Sequence, residues 1–335
     1  MTSHSHFNER TPATEVAKTF GSEIKNRYFV VTGISKGSIG ETTAKALASQ
    51  SPALLILASR TLSNIEVVAS EIRAAYPNVK IAVIPLNLLS QESVRQAADQ
   101  IKAVAPQIDV IINNAAMTPS KRITSPEGIE GQFAANHLGG FLLTNLLAEK
   151  FPAGAKARIV NVTSEGHRAS PIRWSDLNLE KADSELPESE RGPDLTDLFP
   201  AELLQVVDGY SGFRAYGQTK TANILTAVAL NKKLAGKAAA YSAEPGVILT
   251  NGSRDFGGKD TTRKAAEMHA VYLKDLDQGA STTLVAALDP ALQKYGGNPY
   301  FSNCQFGHAA EWATNEEYAE KLWKLSEDLV GQKFF

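Results

Sequence analysis

Apolar runs alternate with longer amphipathic stretches along most of the chain. The spacing of the apolar residues predicts buried strands at 28–33, 53–60, 80–88, 108–116, 157–164 and 238–246. It predicts helices at 41–50, 64–76, 91–104, 127–150 and 213–235. Continuous apolar strands that alternate with helices indicate an α/β protein with a parallel sheet covered on both faces.

One compositional break interrupts this pattern. Residues 166–212 are rich in Asp, Glu, Pro and Ser and begin no new sheet pattern, so we interpret them as an insertion within one domain spanning 28–335. The insertion either forms a wall of the substrate pocket or is an exposed excursion. The first 27 residues are polar on average, and we expect a frayed N-terminal tail.

Composition narrows the class of protein. Of the 335 residues, 43% are hydrophobic, which is enough for a sizeable core. The formal charge of −2 shows no basic excess, so nucleic acid is not expected as a partner. The single cysteine, Cys304, cannot form an internal disulfide. Because residues 1–27 contain no apolar segment typical of a signal peptide or membrane anchor, we expect a cytoplasmic protein.

A glycine-rich turn follows the first predicted strand. The stretch VTGISKGSIGE places Gly33, Gly37 and Gly40 between a strand and a helix. Such a turn presents backbone N–H groups and a helix N-terminus to a phosphate group. Its spacing differs from the dinucleotide fingerprint, and an ordinary turn explains these glycines equally well when they are taken alone.

The end of the second predicted strand favours a phosphorylated cofactor. NAD-binding folds commonly place an acidic residue here to bind the ribose 2′-hydroxyl, whereas this chain has Ser59 followed by Arg60. Lys36 lies in the glycine-rich turn. Two cations and no carboxylate suit the 2′-phosphate of NADP(H), although both could be ordinary surface charges.

Tyr216 and Lys220 are four residues apart on a predicted helix and therefore share a face. A nearby ammonium is expected to lower the pKa of a tyrosine toward a value useful for proton transfer. A tyrosine and a lysine at this spacing are commonly just neighbours on the exposed face of an amphipathic helix. Two further candidates change the balance: Ser164 closes a predicted strand, and Asn136 lies within an apolar helix.

The motifs occur in a fixed order: TGxxx(x)GxxG, NNAA, NHLGGFLLTNLL, VNVTS, YGQTK and PGVILT. This series resembles the short-chain dehydrogenase/reductase family, in particular its retinol-dehydrogenase-like branch and fungal relatives. The resemblance covers about residues 28–250 through motifs, and more loosely residues 277–290 and 313–331. It implies a Rossmann-type doubly wound parallel sheet.

The resemblance also implies catalytic roles. Tyr216 would be the general acid in reduction and the base in oxidation. Lys220 would lower the pKa of Tyr216 and hold the ribose of the nicotinamide nucleotide. Ser164 would bind the substrate oxygen, and Asn136 would hold a water that links Lys220 to solvent.

Further positions would hold NADP(H). Asn113 and Ala115 would lie near the adenosine-side ribose, and Ile248 and Thr250 near the carboxamide. Asn87 stands where the family usually has an aspartate that contacts adenine. The full set expected at the cofactor is Gly33, Ser35, Lys36, Gly37, Ile39, Gly40, Ser59, Arg60, Asn87, Leu88, Asn113, Ala115, Tyr216, Lys220, Ile248 and Thr250. The chain departs from the family pattern in one extra residue in the first turn, Ser38, and in NNAA for NNAG.

The remaining candidates are weaker. His167 could face a substrate, but a structural histidine is the more economical interpretation. His4 and His6 lack the other ligands of a metal site, so no metal is predicted. Trp174 and Phe213 flank the insertion and could line the pocket or simply pack. The apolar helix at 127–150 could form a homodimer interface or be buried within the monomer.

We therefore predict an NADP(H)-dependent oxidoreductase that transfers hydride between NADPH and a carbonyl or secondary alcohol of a small organic substrate, with a role in specialised metabolism as one option. The chain shows no nucleophile elbow of a hydrolase. Two alternatives stay open: an NADP(H)-binding regulatory or interaction protein, and a non-redox cyclase or isomerase. The insertion and residues 251–275 are expected to shape the pocket, so the substrate stays open.

Overall fold

A central eight-stranded sheet organises the protein in a computed structural model, which describes residues 1–154, 157–249, 258–293 and 297–335. The strand order is β12–β11–β8–β5–β4–β1–β2–β3, and every pair is parallel except β11–β12. The strands of this sheet are β1 (Tyr28–Thr32), β2 (Leu54–Ser59), β3 (Ile81–Pro85), β4 (Val110–Asn113), β5 (Ala157–Val162), β8 (Ala238–Glu244), β11 (Tyr300–Ser302) and β12 (Gln305–Phe306). Two short pairs lie outside it: β6 (Val206–Val207) with β7 (Tyr210–Ser211), and β9 (Val247–Ile248) with β10 (Leu273–Lys274).

Helices cover both faces of the sheet. One core contains side chains of α4 (Gln91–Val104), α5 (Gly139–Leu147), α6 (Gly212–Lys233) and α10 (Glu316–Leu329). The opposite core contains side chains of α1 (Ala13–Thr19), α2 (Ile39–Ala48), α3 (Leu62–Ala75) and α8 (Leu276–Leu288). The remaining α-helices are α7 (Gly258–Met268) and α9 (Glu311–Thr314). The Rossmann-type doubly wound α/β fold predicted from the sequence is confirmed.

The strand order creates a crevice at the carboxyl ends of the central strands. β1 pairs with β2 on one side and with β4 on the other, so the chain reverses its winding direction at β1. Open α/β sheets bind ligands at such a topological switch point, outside the carboxyl ends of the strands. The fold therefore locates the functional site before any side chain is considered.

The N-terminal segment is packed against the domain, so the expected frayed tail is wrong. Phe7, Val16 and Phe20 are buried in the core beside α2 and α8. The backbone N–H and hydroxyl of Ser3 donate to the Asp289 carboxylate at 2.7 and 2.5 Å. The polar average of this segment conceals a few apolar side chains that dock onto a distant helix.

The insertion folds back onto α6 through ion pairs that are buried or half-buried. Arg173 pairs with Asp176 at 2.6 Å and with Asp183 at 2.8 Å, and Arg214 of α6 pairs with Asp183 at 3.2 Å. The backbone N–H of Arg173 donates to Gln218 Oε1 at 2.8 Å. These contacts hold much of the acidic insertion as a packed layer rather than as a loose excursion.

The C-terminal helix α10 packs against the apolar segment that the sequence offered as a possible homodimer interface. Trp323 of α10 contacts the ring of Phe141 in α5 at a centroid distance of 4.9 Å, and Ser326 hydrogen bonds with His137 Nε2 at 2.8 Å. The apolar character of this region is thus explained by burial within the chain. In the part of the chain that the structure describes, no helix combines the length and apolarity required to span a membrane.

Candidate active site

A cleft of about 540 Å³ opens at the carboxyl ends of β1, β2, β4, β5 and β8. It brings together most of the residues that the sequence predicted for the site. Those in its lining are Gly33, Ser35, Ile39, Ser59, Arg60, Asn87, Leu88, Ala115, Asn136, Ser164, Tyr216, Lys220 and Ile248. Thr250 lies outside the described residues. Lys36, Gly37, Gly40 and Asn113 are described but do not line the cleft.

The glycine-rich turn is packed tightly between β1 and α2. A Cβ on Gly33 would lie 2.7 Å from Ala115 Cα, and a Cβ on Gly40 would lie 2.5 Å from the Gly33 carbonyl oxygen. Ser38, the extra residue of the turn, is the N-cap of α2, because its side chain accepts a hydrogen bond from the Glu41 N–H at 3.1 Å. The extra residue in the turn therefore lets α2 begin at Ile39, which lines the cleft.

Lys36 does not line the cleft with Arg60, and it is already paired. Its Nζ is 2.6 Å from Glu71 Oε1 and 3.1 Å from Glu41 Oε1, and its side chain is 59% exposed. Glu71 and Glu41 raise the pKa of Lys36. The structure thus does not bring Lys36 and Arg60 together around one phosphate, because two carboxylates on α2 and α3 hold the lysine on another surface.

Arg60 is placed as the sequence predicted for a group that meets an anion. It is exposed, follows the last residue of β2 and lines the cleft together with Ser59, Thr61 and Asn64. Among the residues that the structure describes, no carboxylate lies within ion-pairing distance of its guanidinium. Among the described residues that line this end of the cleft, Arg60 is therefore the available cation, beside the start of α3.

The two asparagines at the end of β4 face opposite directions. Asn113 Nδ2 donates to Thr144 Oγ1 at 2.9 Å and to Asn161 Oδ1 at 3.0 Å, behind the cleft. Asn114 lines the cleft, and its Nδ2 donates to the Thr32 carbonyl at 2.8 Å. Alternation of side chains along a strand separates these neighbours, so Asn114 lines the cleft and Asn113, which the sequence predicted at the cofactor, does not.

The Asn87 side chain also has a local structural role. Asn87 Oδ1 accepts a hydrogen bond from the Leu89 N–H at 3.3 Å, and the Asn87 N–H donates to Ser93 Oγ at 3.0 Å. Leu88 packs beneath Gly139, where a Cβ would lie 2.5 Å from the Leu88 carbonyl oxygen. These contacts shape the part of the cleft lining that contains Asn87 and Leu88, where the sequence predicted an adenine contact.

Ser164 and Tyr216 meet at the cleft floor. Ser164 follows β5 and caps a short 3₁₀ helix, since its Oγ accepts from the Gly166 N–H at 3.1 Å. Its hydroxyl is also hydrogen bonded to the Tyr216 hydroxyl, which favours the tyrosinate. Two hydroxyl groups from different elements thus converge where a substrate oxygen could accept from both.

The electrostatics of Tyr216 differ from the sequence-based expectation. Burial raises the pKa of Tyr216 to about 12, and only the Ser164 hydrogen bond opposes this rise among its main influences, while Glu244 adds to it. Burial lowers the pKa of Lys220 to about 7. The expected lowering of the tyrosine pKa is wrong for this structure, because the lysine is itself desolvated and donates to the Val162 carbonyl at 2.9 Å.

Asn136 occupies a π-helical segment, Phe133–Leu138, which directly precedes α5. Its Oδ1 accepts from the Met117 N–H at 2.8 Å, and its Nδ2 donates to the Met117 carbonyl at 2.9 Å and to Thr219 Oγ1 at 3.3 Å. The π-helical turn, a feature often found at functional sites, aims this amide into the cleft. Asn136 thereby joins the segment after β4 to the helix that carries Tyr216 and Lys220.

Glu130 connects the start of this helical segment to the insertion. Its buried carboxylate accepts from the Phe133 N–H at 2.7 Å and from the Tyr210 hydroxyl at 2.7 Å. Tyr210 belongs to the β6–β7 hairpin, which leads directly into α6. Sequence reasoning missed this pair, because its members are far apart in the chain.

An apolar cluster of the insertion lies beside Tyr216. The ring of Phe213 stacks at 6.5 Å from that of Tyr216, and Phe199 contacts Phe213 edge-on at 4.7 Å. Leu195, Leu203 and Leu204 belong to the same cluster. This part of the insertion therefore adjoins the site, whereas Trp174 packs against Tyr318 in α10 and does not line the cleft.

His167 has a structural role. It is fully buried, and its Nδ1 donates to the Ser164 carbonyl at 2.7 Å while its Nε2 accepts from the Ala310 N–H at 3.0 Å. Both ring nitrogens are therefore used by the backbone, and burial lowers the pKa of the imidazole. The histidine fixes the segment that follows Ser164.

The chain offers what a nicotinamide dinucleotide requires. The tight contacts of Gly33 and Gly40 hold α2 with its N-terminus at the cleft, where a diphosphate is favoured. Arg60 lies at one end of the cleft, and the hydroxyl pair of Ser164 and Tyr216 lies in the lining with Lys220. The lining of the cleft therefore fits a nicotinamide dinucleotide.

Comparison with known proteins supports the same class. The profile of the short chain dehydrogenase family matches residues 27–175. Oxidoreductase fscI of Fusarium equiseti is 36% identical over 249 residues, which are 72% of this chain and 94% of that protein. Retinol dehydrogenase 12 of Mus musculus is 32% identical over 314 residues, which are 93% of this chain and 89% of that protein.

A solved structure agrees over nearly the whole chain. An uncharacterised protein from Mycobacterium paratuberculosis superposes with a TM-score of 0.67 at 28% sequence identity, covering 93% of this chain and 96% of its own. The fold, the cleft and these relatives define an oxidoreductase of the Rossmann type. The chain belongs to the short-chain dehydrogenase/reductase family and is similar to its retinol-dehydrogenase-like members.

Proposed function

We propose that the protein is an NADPH-dependent reductase of a small carbonyl compound, with the reverse oxidation of a secondary alcohol as its formal counterpart. The observation that carries this proposal is the convergence of the Ser164 and Tyr216 hydroxyls beside Lys220, in a cleft whose other end holds Arg60. A bound nicotinamide would supply the hydride. The protein residues then have to bind the carbonyl oxygen and deliver one proton to it.

The proton donor in this proposal is Tyr216. With a pKa of about 12, the phenol is protonated at neutral pH, as a general acid in reduction must be. Its hydrogen bond with Ser164 aligns both hydroxyls toward one acceptor. Donors that are already oriented toward a developing alkoxide lower the barrier without reorganisation during the reaction.

Lys220 and Asn136 support this donor. Lys220 Nζ lies 5.3 Å from the centroid of the Tyr216 ring, within the same buried region. We propose that it holds the ribose of the nicotinamide nucleotide beside Tyr216. Asn136 fixes the Met117 segment on the cleft wall, and the water-linked role implied by the resemblance stays a prediction.

The preference for NADPH over NADH rests on Arg60. A guanidinium at the end of β2 that pairs with no carboxylate of the described residues suits a 2′-phosphate, because the fork of donors matches phosphate oxygens. Ser59 stands where an acidic residue would instead repel that phosphate. Lys36 is not part of this proposal, since Glu41 and Glu71 hold it elsewhere.

The substrate proposed here is a carbonyl compound with an apolar or aromatic body. Phe199, Phe213 and the leucines of the insertion form an apolar cluster next to Tyr216, which would adjoin the bound substrate. A role in specialised metabolism, a cytoplasmic location and a homodimer stay predictions.

The test is Tyr216→Phe, assayed with NADPH and a panel of aldehydes, ketones and quinones. We expect turnover to fall by about a thousandfold or more, since the acid is lost, while NADPH affinity changes little. Tyr318→Phe, a half-buried tyrosine of α10, serves as the matched control and should keep full activity. Full activity of Tyr216→Phe contradicts the proposed chemistry.

A further inference from the structure

A buried carboxylate supports the glycine-rich turn from outside the cleft. Glu41 is only 6% exposed and belongs to the first turn of α2. It does not line the cleft but a separate groove, together with Gly37 and Lys45. Burying a charged group is costly unless hydrogen bonds and opposite charges compensate it. The proposed chemistry makes no use of Glu41, so the reason for its burial has to be sought in its contacts.

Ser38, the extra residue of the turn, forms a reciprocal helix cap with Glu41. Residues 38–41 read Ser-Ile-Gly-Glu, which is the S-x-x-E pattern of a capping box. The Ser38 hydroxyl oxygen accepts from the Glu41 N–H at 3.1 Å and from the Ser35 N–H at 3.3 Å. In return, Glu41 Oε2 accepts from the Gly37 N–H at 2.6 Å. The carboxylate reaches Gly37 because the Ser38 N–H already donates to the Ser35 carbonyl at 3.2 Å.

These bonds fix the face of the turn that lines the cleft. Ser35, Ser38 and Ile39 belong to the cleft lining, whereas Gly37 does not. Glu41 occupies the Gly37 N–H, so that donor is directed away from the cleft. The first N–H groups of a helix have no partner within it and suit an anion, and Ile39 is the first residue of α2. The side chain of Glu41 thus holds the helix start and the serines in one arrangement.

Two lysines compensate the charge of Glu41. Lys45 Nζ lies 2.7 Å from Glu41 Oε1, and Lys36 Nζ lies 3.1 Å from the same oxygen. Glu71 of α3 bridges both lysines at 2.6 Å. Burial alone would raise the pKa of Glu41, but its hydrogen-bond donors lower it overall, so the carboxylate stays ionised. The formal charges of the four side chains cancel, because two are positive and two are negative.

We propose that Glu41 is a positioning residue for the diphosphate of the cofactor: it fastens the glycine-rich turn from outside the cleft, while Lys36 and Lys45 neutralise its charge. Without them, a carboxylate hydrogen bonded to the turn would oppose the binding of an anion. The inference rests on the proposed function, since a nicotinamide dinucleotide is the ligand that the turn would hold. It also gives Ser38 a role, because this extra residue completes the cap.

The test compares ligands with and without a diphosphate. Glu41→Leu removes the acceptor of the Gly37 N–H, so NADPH and NADH should both bind about tenfold more weakly, as expected for the loss of one hydrogen bond to a charged group. Adenosine 2′-monophosphate carries no diphosphate and should bind as it does to the unchanged protein. Calorimetric titration measures these affinities without any turnover. Arg60→Ala should give a different pattern, weakening NADPH and adenosine 2′-monophosphate but hardly NADH.

A conservative variant separates the hydrogen bond from the rest of the side chain. Glu41→Gln keeps an oxygen that can accept from the Gly37 N–H, so its NADPH affinity should stay within about threefold of that of the unchanged protein. Lys45→Met leaves the Glu41 charge less compensated and should weaken both dinucleotides by about threefold or more. Asn315→Ala, which removes the N-cap of α10, is the matched control: it should lower the melting temperature and leave every affinity unchanged.

The results against the inference are definite. Unchanged NADPH affinity in Glu41→Leu would overturn it, and so would an equal weakening of adenosine 2′-monophosphate or a tenfold loss in Glu41→Gln. Circular dichroism verifies folding. If Glu41→Leu does not fold, Lys45→Met decides: weaker binding of both dinucleotides supports the inference, and unchanged binding overturns it.

Failure of the proposed function gives a different result. If the unchanged protein binds NADPH, the Glu41 variants behave as expected and no carbonyl compound is reduced, the proposed reaction is wrong while the role of Glu41 stands. If the unchanged protein binds neither dinucleotide, both proposals are wrong.

Discussion

The Lys220 amine lies 5.3 Å from the centroid of the Tyr216 ring. Both residues belong to one turn of α6, and the lysine is directed under the ring because it donates to the carbonyl at the end of β5. The amine is therefore held by the sheet rather than by the phenol. This arrangement leaves the tyrosine protonated and the lysine easily deprotonated, which gives each of them a measurable signature.

We expect Lys220 to make stability depend on pH. Burial lowers its pKa to about 7, whereas its ordinary value is 10.5. Between these values the folded protein binds fewer protons than the unfolded chain, so the free energy of unfolding should rise with pH, by at most about 1.4 kcal/mol per pH unit. Urea denaturation of the ligand-free protein from pH 7 to pH 10 measures this slope.

The comparison variant for this slope is Lys220→Met. In this variant the free energy of unfolding should no longer rise with pH on account of Lys220. Loss of the hydrogen bond to Val162 should change the free energy of unfolding by the same amount at every pH. Lys18→Met, which removes an exposed lysine of α1, should keep the slope of the unchanged protein. Equal slopes in Lys220→Met and the unchanged protein would show that the amine is solvated in the folded state.

Arg60→Ala should reduce the preference for NADPH. Loss of a charge-assisted hydrogen bond to phosphate is expected to weaken NADPH binding by about tenfold to a hundredfold while NADH binding hardly changes. Calorimetric titration of both cofactors measures this difference. Lys36→Ala is the informative control: because Glu41 and Glu71 hold Lys36 away from the cleft, it should leave the preference intact. Equal affinities of the unchanged protein for the two cofactors would refute the phosphate site.

Gly40→Ala and Gly140→Ala should have opposite effects on stability. Both glycines lie in helices, where alanine is intrinsically preferred by about 1 kcal/mol. A Cβ on Gly40 would lie 2.5 Å from the Gly33 carbonyl oxygen, so steric conflict should outweigh that preference and lower the melting temperature. The nearest atom of the described residues to a Cβ on Gly140 is Asn113 Cγ at 3.6 Å, so the melting temperature of Gly140→Ala should stay the same or rise. A stabilised Gly40→Ala would mean that α2 can shift away from the turn.

Arg173→Met should loosen the insertion. It leaves Asp176 buried without its cationic partner, which typically costs about 3–5 kcal/mol in the free energy of unfolding or of local opening. Limited proteolysis within residues 175–205 should accelerate. Arg73→Met, which breaks the exposed pair with Glu66, should cost at most about 1 kcal/mol and leave the proteolysis rate unchanged. Similar rates for the two variants would show that apolar contacts alone hold the insertion.

Local patterns predicted the elements of the fold well. Helix α4 spans Gln91–Val104, the range expected from its apolar spacing, and Ser90 caps it. Strand patterns succeed for the central strands because burial on both faces demands continuous apolar runs. Local patterns did not predict the packing of the N-terminal segment. Its apolar residues are too few to form a pattern, and they become part of the core through contact with α8.

Residue types at the site were predictable, whereas orientations and partners were not. Ser164, Tyr216 and Lys220 were found because the chemistry requires those types at strand ends and on one helix face. The choice between Asn113 and Asn114 depends on the register of β4 beside its neighbours, and the pairing of Lys36 depends on Glu71, which lies on another helix. The pKa of Tyr216 follows from the depth of burial, which no local pattern encodes.

The contact between Tyr210 and Glu130 divides the insertion into two parts with different freedom to vary. The hairpin end is tied through Glu130 to the helical segment that positions Asn136, so changes there would disturb the existing machinery. The stretch from Leu195 to Leu204 touches Tyr216 through Phe213 yet lies upstream of that tie. A laboratory library confined to 195–204 could therefore explore new substrates on an undisturbed catalytic frame, as evolution can when it reshapes a pocket without rebuilding the enzyme.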